Sequence, residues 1–231
     1  MNIFRELSWK ERALCLFFPA RCLRCGKAVR PERFFCQECV PSLPPEPFFR
    51  EYPLPQAPEG ILPVLAPLPY KEGFRETLHR LKFQEEWGAC KPLGQLMGET
   101  AREFSKEFTL VTWVPMSSKK LRKRGYNQSA LLGKAVAKEL GLPFGEALEQ
   151  VREIQTQHQL TRPQRADNVR DAYRGKSRAR GEDILLIDDI VTTGATLRSC
   201  TQALYQAGAR SVCALCACGS KPRLDTTYIE T

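Results

Sequence analysis

The sequence predicts an α/β fold, a mostly parallel sheet with flanking helices, preceded by a small cysteine-rich module. Three observations carry this reading. Short apolar runs alternate with amphipathic stretches from Ile61 onward, two C-x-x-C pairs lie before Val40, and a proline-dense stretch separates the two regions. The 231 residues suffice for one α/β domain of roughly 150 to 200 residues plus an appendage. The expected organisation is therefore a module over residues 1–41, a linker over 42–60 and an α/β domain over 61–231.

The first module opens with the apolar stretch 13–20, which reads as an amphipathic helix. It is too short and too closely followed by cysteines for a secretory signal, and acidic residues precede it. No apolar run approaches the ~20 residues that cross a bilayer, so no integral membrane segment is expected. The chain carries ten cysteines, yet their arrangement is not that of a secreted disulfide framework. A reducing compartment, and hence a cytoplasmic location, is expected.

Cys22 and Cys25, followed by Gly26, form one C-x-x-C pair, and Cys36 and Cys39 form the other. Two thiolates two residues apart can grip one zinc ion through a tight knuckle, and the glycine permits the positive φ such a turn needs. Four thiolates close a tetrahedron, so the expected zinc is structural, with a short hairpin through Phe34 and Phe35 joining the pairs. A redox pair of the thioredoxin kind is the rival, and it needs one such motif at a helix start after a strand. Cys213, Cys216 and Cys218 lie in a strand-like run and read as core residues.

Prolines between Pro41 and Pro58 remove amide donors and fix their own φ, so the linker reads as an extended tether. Beyond it, the apolar runs at Leu110–Val114, Ile184–Ile187 and Val212–Ala217 are too short for ordinary helices and suit buried strands. Helices are expected over Phe74–Trp87, Leu93–Phe108, Gly125–Leu140 and Ala195–Ala207, with Gly208 ending the last.

The chemistry concentrates between Ile184 and Leu197, where a buried strand ends in Asp188 and Asp189 and a turn of small residues opens a helix. Ligands of open parallel sheets bind beyond the carboxyl ends of strands. There Thr192, Thr193, Gly194, Ala195 and Thr196 would offer amides, hydroxyls and a positive helix terminus to a phosphate. The acid pair can accept hydrogen bonds from neighbouring ribose hydroxyls and help hold a hydrated magnesium ion. A triphosphatase would add G-x-x-x-x-G-K-[ST], which the chain lacks.

On these residues the segment resembles the signature of type I phosphoribosyltransferases. With Arg124 to Gln128 (R-G-Y-N-Q), Gln157 to Arg162 (Q-x-x-L-T-R), Arg165 and Asn168, the whole chain resembles the ComF family of competence-associated proteins. That resemblance implies a zinc module joined to a phosphoribosyltransferase-like domain that binds ribose 5-phosphate or phosphoribosyl pyrophosphate with magnesium. It implies that Asp188 and Asp189 act on the ribose as the catalytic pair and that residues 192–196 hold the 5-phosphate. Pro115, Met116 and Ser117 would lie at the pyrophosphate, joined by Arg124, Asn127 and Gln128, and residues 157–168 would form a mobile loop. It further implies a role in DNA uptake and natural transformation. The alternative is a non-catalytic sensor of ribose phosphate that binds single-stranded DNA and serves a competence helicase.

The formal charge of +9 favours anionic partners of any kind. Lys119, Lys120, Arg122, Lys123 and Arg124 form a basic run beside the expected pyrophosphate loop, and more cations follow between Arg162 and Arg180. Such runs bind pyrophosphate, track a nucleic-acid backbone, or simply line a solvated loop. His158 falls in the expected mobile loop and His79 in a helix; neither has partners that indicate a triad or a metal site.

Overall fold

A computed structural model describes residues 20–71, 73–83, 90–104, 106–153 and 171–220, with no side chains for 80–83. All but the last residue of the helix expected over 13–20, the loop 157–168 with His158, and the cations at 162, 165 and 170 lie outside the described residues.

The expected mostly parallel sheet forms. Its strands are β1 (Phe48–Pro53), β2 (Ile61–Ala66), β3 (Leu68–Pro69), β4 (Leu110–Trp113), β7 (Asp183–Val191) and β8 (Ser211–Gly219). They run in the order β1-β2-β8-β7-β4, with β3 also beside β8. Every pairing is parallel except β1 with β2. A separate antiparallel pair consists of β5 (Leu148–Gln150) and β6 (Tyr173–Gly175). The β4 edge is not left bare, because Val111 donates to Pro143 O at 2.9 Å and accepts from Gly145 N at 3.1 Å.

Among the described residues the α-helices are α1 (Phe74–Phe83), α2 (Cys90–Arg102), α3 (Ser118–Arg124), α4 (Gln128–Leu140) and α5 (Ala195–Gln206), of which α3 buries no residue. Alternation along β7 splits its side chains between two cores. Leu185 and Ile187 join α1, α2 and α4 through Leu78, Leu93, Met97, Leu132 and Val136. Ile184 and Leu186 join α5 through Leu197, Cys200 and Leu204. The result is helices on both faces of one sheet, as continuous apolar strands require.

Local chemistry sets several boundaries differently from the sequence reading. The basic run read as a strand-to-helix connection is itself a helix, α3, because Ser117 caps it and Gly125 ends it at φ 80°. Asn127 then caps α4, so that helix starts at Gln128 rather than Gly125. The helix expected over 93–108 runs instead from Cys90 to Arg102.

The proline-rich stretch departs most from expectation. Within the segment read as a tether, β1 makes a six-pair antiparallel ladder with β2, from Phe48↔Ala66 to Pro53↔Ile61. A compact turn follows, in which Leu54 donates to Gly60 O, Ala57 to Leu54 O and Gly60 to Ala57 O. Proline is tolerated because β1 is an edge strand and Pro53 is its last residue. Tyr52, Leu54 and Ala57 are buried against the α5 face, and full burial of an aromatic or aliphatic side chain contributes roughly 1.5–3 kcal/mol.

The cysteine module also packs into the main body. Leu23, Phe34 and Phe35 share one core cluster with Phe74 and Leu78 of α1. Phe35 meets Phe74 edge-on at 6.2 Å, and Thr77 of α1 donates to Leu23 O.

Candidate functional site

β7 carries the acid pair to the carboxyl end of the sheet, where the strand's alternation reverses. Ile187 and Ile190 both face the α4 side, whereas Leu186 and Val191 both face the α5 side. At this reversal Asp188 Oδ1 accepts from Ser129 Oγ of α4 and from the Asp189 amide, each at 2.9 Å. The first turn of α4 is thereby fastened to the end of β7.

After Val191 the chain turns through Thr192, Thr193 and Gly194, which caps α5 at φ 72° and offers no side-chain hydrogen bond. Thr193 Oγ1 accepts from the Ala195 amide at 3.4 Å. The amides of Thr192, Thr193, Gly194, Thr196 and Leu197 meet no acceptor among the described residues. No acidic residue offsets the dipole in the first turn of α5, and Arg198, whose amide bonds Gly194 O at 2.9 Å, adds positive charge. Amides without acceptors, threonine hydroxyls and a helix N-terminus are the groups that can receive an anion. A shallow pocket at this place is lined by Asp188 and residues 190–197.

The structure thus brings together Asp188, Thr192, Thr193, Gly194, Ala195 and Thr196 around one pocket, while Asp189 is not among the lining residues. The other predicted residues follow β4. Pro115 and Ser117 are buried and Met116 is half-buried, while Ser117 Oγ is used to cap α3. Asn127 is engaged twice, its Oδ1 accepting from Ala130 N at 3.2 Å and its Nδ2 donating to Val114 O at 3.0 Å. It holds the two ends of the β4–α4 connection together. Gln128 is only 2% exposed, and both polar atoms of its side-chain amide lack a partner among the described residues. Arg124 is half-buried at the end of α3.

Two contributors escape a sequence reading. Ser129 bonds Asp188 across 59 positions, and Tyr52 donates to Thr192 O at 3.4 Å across 140. Neither belongs to a motif, and no local pattern announces a contact made by the fold.

The cysteine cluster forms a second site. The Sγ atoms of Cys22, Cys25, Cys36 and Cys39 all lie within 4.8 Å of one another, with Cys25 and Cys36 3.6 Å apart. A tetrahedral zinc with four Zn–S bonds of about 2.3 Å has S···S edges of about 3.8 Å, so this set can hold a zinc ion. Gly26 adopts the positive φ of 74° that the knuckle needs. Burial raises the Cys22 thiol, but the amides of Cys25, Cys36 and Arg24 outweigh it and the net shift is downward. Amides aimed at sulfur are what a ligated thiolate requires. Burial instead pushes Cys39 up to about 12. Cys213, Cys216 and Cys218 are buried in β8 as core residues, and burial raises Cys213 to about 12.

Comparison with known proteins bears on the pocket at the end of β7. The phosphoribosyl transferase domain model matches residues 127–228, which span α4, the acid pair and the turn into α5. The chain is 29% identical over 203 residues to the DNA utilization protein YhgH of Salmonella typhi, covering 85% of this chain and 89% of that protein. It is 29% identical over 144 residues to the competence protein ComFC of Bacillus subtilis, covering 60% of this chain and 56% of that one. The chain is thus similar to a DNA utilization protein and a competence protein, and its residues 127–228 are similar to phosphoribosyl transferase domains. Among solved structures, glutamine phosphoribosylpyrophosphate amidotransferase from B. subtilis is 24% identical, with a TM-score of 0.37 over 55% of this chain and 26% of that one. The match to the first relative covers 85% of the chain and so extends well beyond 127–228. Among the described residues no helix is long and apolar enough to cross a membrane.

Proposed function

We propose that the chain binds ribose 5-phosphate, free or as part of phosphoribosyl pyrophosphate, in the pocket at the end of β7 and acts in DNA uptake and utilization. The observation that carries this reading is the turn itself. Five amides without acceptors among the described residues surround the N-terminus of α5, with Asp188 on the same pocket wall. A 5-phosphate satisfies the amides, and the carboxylate accepts from ribose hydroxyls. Magnesium fits a site of carboxylate and phosphate oxygens, and would enter with the pyrophosphate-bearing ligand. The role in DNA uptake follows the printed names of the relatives, a DNA utilization protein and a competence protein.

If the site turns over, an acceptor forms a bond to the anomeric carbon while the bond from that carbon to pyrophosphate breaks. Pyrophosphate leaves with the electron pair, and the acceptor gives up a proton. Isothermal titration with ribose 5-phosphate and phosphoribosyl pyrophosphate, each with magnesium, tests the binding. An Asp188→Asn, Asp189→Asn variant should bind at least tenfold more weakly, since two charge-assisted acceptors are lost. No heat from the intact chain at millimolar ligand would refute the site. Binding without pyrophosphate release to any base or amine acceptor would make the protein a sensor rather than a transferase.

One observation favours a nucleic-acid surface on the same chain. No residue of α3 is buried, and Lys119, Lys120, Arg122 and Lys123 stand exposed on it with Leu121 at 41%. A helix that buries none of its residues and is studded with cations is suited to a phosphate backbone. Alanine at these four cations should flatten the dependence of log K on log salt for single-stranded DNA by up to about 3, at about 0.7 per contact. An unchanged slope would exclude α3 from DNA contact.

A further inference from the structure

The turn at 192–194 has one weak side-chain bond of its own, from the Ala195 amide to Thr193 Oγ1 at 3.4 Å. Gly194 at φ 72° is open to many backbone conformations, and the five amides without acceptors among the described residues lie in this turn and the first turn of α5. Further restraint comes from β1. Tyr52, 2% exposed, lays its ring where a Cβ on Gly194 would stand, with Cε1, Cδ1 and Cζ at 2.6, 2.7 and 3.0 Å from that position. Its hydroxyl donates to Thr192 O at 3.4 Å. The ring in turn lies under the Arg50 guanidinium, 4.6 Å from the ring centroid. Four residues earlier on β1, Phe48 covers Gly219 at the end of β8 in the same way, with ring atoms at 2.7 Å.

We propose that Tyr52 is a positioning residue for the phosphate turn: its ring, clasped by Arg50, restricts the freedom of Gly194 and keeps the amides of residues 192–197 aimed at the anion before ligand arrives. Tyr52 lies outside the pocket lining and acts through the turn, so it raises affinity by preorganisation rather than by touching the ligand. The inference rests on the ribose-phosphate reading and adds to it that the N-terminal strand controls that site.

The test uses the full chain, with calorimetric titration of ribose 5-phosphate beside thermal unfolding of each variant. Tyr52→Phe keeps the ring and should bind within about threefold of the intact chain. Tyr52→Ala should weaken binding by about tenfold or more, mainly through less favourable binding entropy. Tyr52→Leu keeps apolar burial but not the flat ring, and should also weaken binding; it decides the matter if the alanine variant fails to fold. Gly194→Ala should cost more affinity in the intact chain than in a Tyr52→Ala background, because only the former holds a ring against the new methyl group. If the intact chain binds ribose 5-phosphate and Tyr52→Leu binds equally well, or the two Gly194→Ala costs are the same, the positioning role is overturned while the site stands. If the intact chain does not bind it at all, both fall together.

Discussion

Ser129 Oγ donates to Asp188 Oδ1 at 2.9 Å, joining the first turn of α4 to the end of β7 at the point where that strand's side chains change faces. The bond orients a carboxylate that lines the pocket. Ser129→Ala removes the donor and should lower unfolding free energy by about 1 kcal/mol. It should also weaken ribose 5-phosphate binding several-fold, while Ser129→Thr, which keeps the hydroxyl, retains both. Chemical denaturation and calorimetry read the two effects separately. Unchanged affinity in the alanine variant would mean that Asp188 is oriented without Ser129.

Metal analysis of the purified chain should find one zinc, and Cys22→Ser with Cys36→Ser should abolish it. Because Leu23, Phe34 and Phe35 belong to the same core cluster as Phe74 and Leu78, the loss should lower the melting temperature of the whole chain. An extended tether would have spared the α/β domain. Zinc affinity should rise with pH, since thiols must shed protons to ligate and Cys39 is held up near 12 by burial before metal enters. Full zinc retention in the double variant would remove the assignment.

Gly94 of α2 stands against Ala135 of α4 so closely that a Cβ would overlap the alanine methyl group, and Gly98 meets Glu139 in the same way. Gly94→Val should destabilise the chain by about 1–3 kcal/mol through overpacking. Adding Ala135→Gly to the variant should recover part of that loss. Equal denaturation midpoints for the two variants would show that the helices part without cost.

Asp183 bonds Arg210, whose Nε lies 2.9 Å from Oδ1, and Ser211, whose Oγ lies 2.7 Å from it. The Arg210 bond is the main cause that holds its carboxyl below the usual 3.8, with Ser211 adding to it. A depressed folded-state value contributes stability that is present above about pH 3.8 and is lost as pH falls through the lower folded value. Asp183→Asn should therefore cost stability at pH 7, roughly 1 kcal/mol or less given the exposure of Arg210. The gap to the parent should begin to narrow as pH falls below about 3.8 and close only below the lower folded value. A gap that does not narrow at all as the carboxyl is protonated would assign the effect to packing instead.

How much was legible in the sequence differs from one feature to another for physical reasons. The strand-acid-turn-helix run at 184–197 was legible because all its parts are local: an apolar strand, two carboxylates, a glycine at positive φ and a helix start follow one another in the chain. The cysteine quartet was legible because metal geometry imposes its own short spacing. The acid pair's orientation was not, since Ser129 reaches Asp188 only after α4 packs on the sheet. The caps were missed in part: Ser117 and Asn127 look like site residues by motif, yet their side chains close the ends of α3 and α4.

By itself, the sequence determined the α/β class, the buried strands β4, β7 and β8, the thiol cluster and the acid-turn-helix run, because hydrophobic period, proline and glycine act within a few residues of where they stand. Only the tertiary structure decided that the proline-rich stretch is an edge strand of the main sheet and that the cysteine module shares its core. Edge pairing costs proline nothing on its solvent side, so composition could not distinguish a tether from β1. The same is true of Tyr52 at Gly194: a contact across more than a hundred residues is set by which strand lies where in the sheet, and nothing local to either residue encodes it.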